Sequence, residues 1–301
     1  MSTLRERRFS FAVLVLPALL IYLAVVAFPT IFSIMLSFTN FNGGQIFGGT
    51  GFDFVGFGSY IWMFTEPTGA FYTALKNNLL IVAVSLFGQI PLGFILAYIL
   101  NRKLIRRGRG LFQAFIYLPN VISPIIIGVL FRALILGPQS LYMEILRIFN
   151  PSAQFALNQQ PMIPVLLVIL WMFTGFYMII FLAYMQRIEP SIIEAARIDG
   201  AKEGKILRHI VLPAMIPEIV TCSILAISGS LKTFDLIYGM TAGGPAGTTR
   251  VLSLFMFQSA FQGAPNYPLA NAIATVMVLI SVLLIIVVRL VSKLFNEKSG
   301  V

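Results

Sequence analysis

Six stretches of the chain stay apolar for about 20 residues or more, with short polar segments between them. A helix rises about 1.5 Å per residue and a bilayer's hydrocarbon core is about 30 Å thick, so each stretch is long enough to cross one. The pattern predicts an all-α membrane protein with six transmembrane helices, over about 11–38, 77–100, 111–136, 162–186, 217–240 and 269–288. No internal repeat is visible, and a single membrane domain, 1–301, accounts for the whole sequence. The fifth stretch is the weakest because Lys232 and Asp235 fall inside it. Three apart, they read either as a neutralising pair on one helix face or as groups that couple transport to an ion.

Charge fixes an orientation for these helices. Arg5, Arg7 and Arg8 precede the first; Arg102, Lys103, Arg106, Arg107 and Arg109 join the second to the third; Arg187, Arg197, Lys202, Lys205 and Arg208 join the fourth to the fifth; Arg289, Lys293 and Lys298 follow the sixth. The alternate connections hold only Arg147 and Arg250, with Lys76, Arg132 and Lys232 at or inside span ends. Basic residues collect on the cytoplasmic side, so both termini are expected there, in a cell-membrane protein. The net charge of +10 is thereby explained by topology and gives no reason to invoke nucleic acid. The basic N-terminus and apolar run imitate a signal peptide, but the run is long and no A-x-A site follows, so it reads as an uncleaved first span.

The exported connections are predicted to be modest. Residues 39–75 are rich in glycine and aromatics and would cap the bundle, LYMEILRIF (141–149) would form a short amphipathic surface helix, and TAGGPAGTT (241–249) would be a run of turns. Catalytic chemistry is not expected. The sequence has one histidine, one cysteine (Cys222), no G-x-x-x-x-G-K-[ST] loop and no clustered carboxylates, so no catalytic residue, metal ligand or bound cofactor is assigned.

The polar segment 187–216 is harder to explain as a plain connection. Neighbouring helices are usually joined by roughly 2–8 residues, whereas this segment is about 30 long, with five basic and four acidic residues between 187 and 209. Pro190 suits a helix start and Gly200 a helix end, which predicts two short helices, with Pro213 and Pro217 marking the turn back into the membrane. Its length points to a docking partner in the cytoplasm.

The segment resembles the EAA motif of the membrane subunits of ABC importers: E-A-A, three residues, G, nine residues, I-x-L-P. Here these are Glu194, Ala195, Ala196, Gly200, Ile210, Leu212 and Pro213, with Asp199 and Ala201 completing the common D-G-A form. FVGFGSY, EPTGAFYTALKNNL and FDLIYGMTAGGPAGTT are similar to the carbohydrate-uptake branch, in particular to the larger maltose permease subunit, though without its extra N-terminal spans and large exported domain. The resemblance implies a type I ABC importer permease fold and a chain that forms the pathway for a sugar or oligosaccharide. It implies four kinds of partner: a homologous second permease, most simply in a heterodimer, two ATPase subunits that use ATP and Mg, an extracytoplasmic sugar-binding protein, and the sugar itself. Glu194 would hold the ATPase contact and Gly200 would permit the turn.

The resemblance also places the sugar-contacting surface on the fifth helix, at Ala226, Gly229, Ser230 and Thr233. These follow i, i+3, i+4, i+7 and form one stripe of small or hydroxyl-bearing residues, although small residues in membrane helices also serve close packing. Thr174 and Tyr177 are further candidates on the fourth helix. Import of glycerol phosphate or another polyol, or transport by an autonomous carrier, are the alternatives. The first would want a basic cavity residue, for which only Lys232 is at hand, and the second would work without nucleotide.

Overall fold

The computed structural model describes residues 4–44, 53–102, 108–136, 140–149 and 161–299. Lys103, Arg106 and Arg107, and the segments 45–52 and 150–160, lie outside the described residues. The described residues are helical, apart from turns and one isolated β-bridge between Thr39 and Phe54. Five helices are long and apolar enough to cross a membrane, or six when one bent pair is taken as a single span. The chain forms two compact units, Met1–Pro67 with Met256–Val276, and Thr68–Phe255 with Met277–Val301.

In the first unit, α1 (Leu4–Tyr22), a π-helical turn (Leu23–Ala27) and α2 (Phe28–Leu36) run on as one apolar helix. The glycine- and aromatic-rich connection folds back on itself: Asn40 donates its amide to the Asp53 carbonyl, and Val55 donates to that of Phe38. The Phe38 ring packs among Phe54, Phe57 and Tyr60, the last from α3 (Gly58–Thr65).

The second unit is built around α9 (Met162–Met185), the most buried of the long helices. Against it pack α5 (Ile90–Asn101), which continues α4 (Ala70–Val84) through a π-helical turn at Ser85–Gln89, and α6 (Arg109–Val121). Ala97, Leu100, Met178, Phe181, Met185, Met215 and Cys222 form its core. The second span is thus longer than its apolar run suggested, reaching back to Ala70 because Gly69, at φ +63°, ends the preceding turn and lets the helix begin there.

Two spans differ from their expected form. The third is broken: α6 and α7 (Pro124–Ile135) meet at 94°. Proline disfavours helical backbone in the residue before it, and Ile122 and Ser123 are accordingly extended, with ψ of 140° and 129°. The fifth span does not run over 217–240. A continuous helix covers Glu203–Leu231, made of α11 (Glu203–Ile206), a π-helical turn (Leu207–Val211) and α12 (Leu212–Leu231), preceded by the separate α10 (Pro190–Ile198). The chain then breaks, and Asp235–Met240 is a separate short helix, α13. Lys232 caps α12 and Asp235 opens α13; both are exposed and they do not pair, so the neutralising reading fails. The sixth span belongs to α15 (Tyr267–Ser299), which follows α14 (Leu252–Phe261). The short helix expected over 141–149 is present as α8 (Leu141–Phe149).

The break after α12 lets α13 lie against α7 at the distance of touching backbones. A Cβ on Gly128 would come 2.7 Å from the Leu236 carbonyl oxygen, and one on Gly239 2.6 Å from that of Ile125. Neither obstacle is a flexible side chain, so Gly128→Val should lower stability by about 1–3 kcal/mol or more, seen as a lower thermal midpoint of the detergent-purified protein.

Among the described residues, each π-helical turn ends two residues before a proline: Ala27 before Pro29, Gln89 before Pro91, Val211 before Pro213. A proline ring inside an α-helix collides with the carbonyl four residues back, and a widened turn relieves that collision without breaking the helix. Pro213 therefore does not turn the chain back into the membrane, as the sequence suggested; the helix runs through it and through Pro217.

Asn78 is fully buried between three helices, donating to the Ser230 carbonyl at 2.9 Å and accepting from the Leu252 amide at 2.7 Å. Beside it, Asn77 donates to the carbonyls of Thr248 and Arg250, both at 2.8 Å. Asn78→Leu would strand the buried Leu252 amide and take one of its two donors from the Ser230 carbonyl, and a loss of about 1–3 kcal/mol is expected, again read from the thermal midpoint.

Candidate functional site

A small cleft of about 70 Å³, mostly apolar but with several polar side chains in its lining, opens where the second, fourth and fifth spans meet. Ile81, Ser85 and Gln89 line it from the α4–α5 helix, Ile169, Phe173 and Tyr177 from α9, and Ala226, Gly229, Ser230 and Thr233 from α12 and the residues just beyond it. All four positions of the small-residue stripe are thus brought to one cavity, together with Tyr177. Thr174 is not: its hydroxyl donates to the Leu170 carbonyl at 2.5 Å within its own helix, and it does not line the cleft.

The stripe allowed two explanations, packing or lining, and Gly229, which is exposed, does not serve close packing within this chain. A Cβ on Gly93 would come 2.9 Å from the Tyr177 Cβ, and one on Gly128 would strike backbone, so those glycines serve close packing. A Cβ on Gly229 would meet nothing within 4 Å. Its smallness leaves space, as a lining residue's would. The opposite side of α12 is filled instead: Ile227 and Leu231 are buried with Val82 against Ile280, Leu284 and Val288 of α15.

Ser85 and Gln89 were missed in the sequence reading. The signal was present, as polar residues four apart in an apolar span, of the kind that membranes tolerate only at a cost. Ser230 donates its hydroxyl to that of Ser85 at 3.0 Å, and Gln89 donates to the Ile169 carbonyl at 2.7 Å, tying the three walls together. Among the described residues no charged side chain lines the cleft; Lys232, next to the lining residue Thr233, is at the exposed end of α12. A larger groove of about 600 Å³, between Phe87, Phe94, Ile219 and Val287, is almost wholly apolar and offers a hydroxylated solute little to bond.

The second candidate region is the polar segment after α9. As the sequence predicted, Gly200 closes the end of α10, two residues past Ile198, and takes φ +77°. Ala201 donates its amide to the Ala196 carbonyl at 2.9 Å and Gly200 to that of Arg197 at 3.0 Å, the bonding of a helix closed by a left-handed glycine. Ile193, Ala196 and Ala201 pack against the core of the second unit. The other side of α10 is exposed, with Ile192, Ala195 and Ile198 at i, i+3, i+6 and Glu194 beside them; Ile198 is 87% exposed. Asp199 is exposed at the helix end.

The remaining motif residues have a different place. Ile210 packs into the core, Leu212 is partly exposed along the apolar groove, and Pro213 follows the wide turn. The motif therefore joins an exposed helix face to the device that carries α11 into α12.

Three comparisons bear on this arrangement. Residues 89–300 match the family described as "Binding-protein-dependent transport system inner membrane component". The chain is 30% identical over 268 residues to the multiple sugar-binding transport system permease protein MsmF of Streptococcus mutans, covering 88% of this chain and 89% of that one. It is 29% identical over 270 residues to the lactose transport system permease protein LacF of Rhizobium radiobacter, with 88% of each covered. Its fold is similar to that of a chain in the crystal structure of a bacterial alginate ABC transporter in complex with an alginate pentasaccharide-bound periplasmic protein, with a TM-score of 0.79, 22% identity, and 97% and 96% of the two chains covered. With the family matched over more than two thirds of its length and a full set of apolar spans, the chain belongs to the inner membrane components of binding-protein-dependent transport systems.

Proposed function

We propose that this chain forms the translocation pathway of an ATP-driven importer for a sugar or oligosaccharide, together with a homologous second permease. Two ATPase subunits, using ATP and Mg, would bind the α10 segment on the cytoplasmic side, where both termini also lie, and an extracytoplasmic binding protein would deliver the sugar. The observation that carries this reading is the exposed face of α10, with Ile192, Ala195 and Ile198 uncovered beside Glu194 in the E-A-A spacing. Exposed apolar side chains on a helix that also carries Glu194 and Arg197 fit a partner's groove.

The cleft supports a neutral, hydroxylated cargo. The Ser85, Ser230 and Thr233 hydroxyls and the Gln89 amide line it; Ser230, Gln89 and Thr233 already donate within the protein, to Ser85, Ile169 and Gly229, so what they offer a sugar is chiefly acceptor oxygens, while Phe173 and Tyr177 offer aromatic faces to its ring. Without a charge in its lining, the cleft favours a sugar over glycerol phosphate. At about 70 Å³ it holds a few waters, each taking roughly 30 Å³ in the liquid, so it is one wall of a pathway and not a complete sugar site. The names of the relatives, a multiple-sugar and a lactose permease, agree with that cargo. ATP binding to the partners would shift the permease pair between inward- and outward-facing states, because the two states present α10 differently to the ATPase.

The test is to express the chain with its genomic neighbours, purify it in detergent and identify what remains bound. An ATPase and a second permease should co-purify, and Glu194→Lys should remove the ATPase while leaving the permease pair intact. A lone chain that transports solute without nucleotide would replace this reading with a carrier.

A further inference from the structure

The face of α10 accounts for a docking partner but not for how its motion would reach the cleft, and a cluster of charged groups beyond the end of α5 bears on that. Arg102, the residue that caps α5, pairs its Nη2 with Oε2 of Glu203, the first residue of α11. The Arg102 side chain is only 9% exposed and lies 5.6 Å from the centre of the Tyr98 ring. Tyr98 in turn donates its hydroxyl to Glu203 Oε2 at 3.4 Å. From α10, Arg197 donates through Nη2 to Glu203 Oε1, also at 3.4 Å. One carboxylate thus receives donors from α5 and from α10 while standing at the head of the helix that becomes α12.

The helices joined there carry opposite walls of the cleft. α5 continues from the turn that bears Ser85 and Gln89, and α12 bears Ala226, Gly229 and Ser230. The legs of the cluster are unequal. Arg197 and Glu203 are both more than half exposed, so water screens their pair and it adds little. Arg102 is shielded, and a shielded guanidinium that loses its carboxylate is left as an uncompensated charge, so the Arg102–Glu203 leg dominates.

We propose that Arg102 and Glu203 are positioning residues that lock the α10–α11 segment to the end of α5, so that movement of α10 carries both walls of the cleft together. The proposal rests on the reading that α10 meets an ATPase, but the lock itself can be measured without it. In the purified permease complex, Cys222 is replaced by alanine and nitroxide labels are placed at Ile95 and Lys202, both exposed positions, one on α5 and one on the turn between α10 and α11. The distance between them is read by pulsed electron resonance.

The unsubstituted pair should give one narrow distribution, the same with and without ATP and vanadate. Arg102→Ala should roughly double its width and cut ATP-driven uptake while an ATPase still co-purifies, because the docking face is untouched. The exchange Arg102→Glu with Glu203→Arg should restore the narrow distribution and much of the uptake, which a merely misfolded variant would not do. A narrow distribution in Arg102→Ala, or an exchange that restores neither property, overturns the lock. Failure of any ATPase to co-purify with the unsubstituted chain would instead overturn the docking reading, and the label distances would still decide the lock.

Discussion

Gly229→Trp should abolish ATP-driven sugar uptake while leaving the permease folded and its complex assembled. Space beside Gly229 admits a side chain, since an added Cβ meets no atom within 4 Å and the residue stands exposed on the wall it shares with Ser85, Gln89 and Tyr177. An indole there would occupy the path without displacing backbone. Uptake should fall at least about tenfold, the equivalent of ~1.4 kcal/mol in the barrier, and the thermal midpoint should stay near that of the unsubstituted protein. Gly229→Ala supplies the control. It removes a flexible residue from a helix and should be neutral or stabilising by about 0.5–1 kcal/mol, with uptake retained. If both variants unfold, Gly229 serves packing and the cleft is not the path.

Ile198→Asp should release the ATPase. Ile198 is 87% exposed at the end of α10 and contributes little to this chain's own core, so its replacement should not disturb the fold. In a docked complex the same side chain would be covered, and an aspartate would bring an unpaired charge into that contact at a cost of a few kcal/mol. A loss of about 2.7 kcal/mol lowers affinity roughly a hundredfold, enough to lose the ATPase during purification. Ile193→Asp separates docking from folding: Ile193 packs inward, so that variant should lower the thermal midpoint as well. Retention of the ATPase by Ile198→Asp would move the docking surface elsewhere.

Much of the fold was legible because apolar length and charge placement are direct consequences of the bilayer. The spans centred on α9 and α15 lie where the hydropathy placed them, and the left-handed turn at Gly200 follows from a residue whose conformational freedom is its main property. What was illegible depends on backbone contacts between segments distant in sequence. Hydropathy does not register that Gly128 and Gly239 meet, so Leu231 to Met240 looked like the end of one span and not a break followed by a separate helix against α7. The cleft was half visible. The stripe on α12 could be read from its spacing, but Ser85 and Gln89 gained meaning only when the turn carrying them came to lie opposite Ser230. Thr174 and Tyr177, three apart on α9, looked equivalent in sequence; the Thr174 hydroxyl is taken up by its own helix, whereas Tyr177 reaches the cleft.

The wide turn at Leu207–Val211 bears on which insertions and deletions this chain can tolerate. Successive residues of an α-helix are offset by about 100° around its axis, and a π turn accommodates one residue more than an α turn. Everything after Val211 is therefore a residue out of phase with what precedes Leu207. Removing one residue within 207–211 would leave the composition and apolar length of the span almost unchanged, yet would rotate Ala226 and Ser230 by about a quarter turn away from Ser85 and Gln89. The spacing of nine residues between Gly200 and Ile210 in the motif runs into this turn, and so acts as a count that sets which side of α12 faces the cargo.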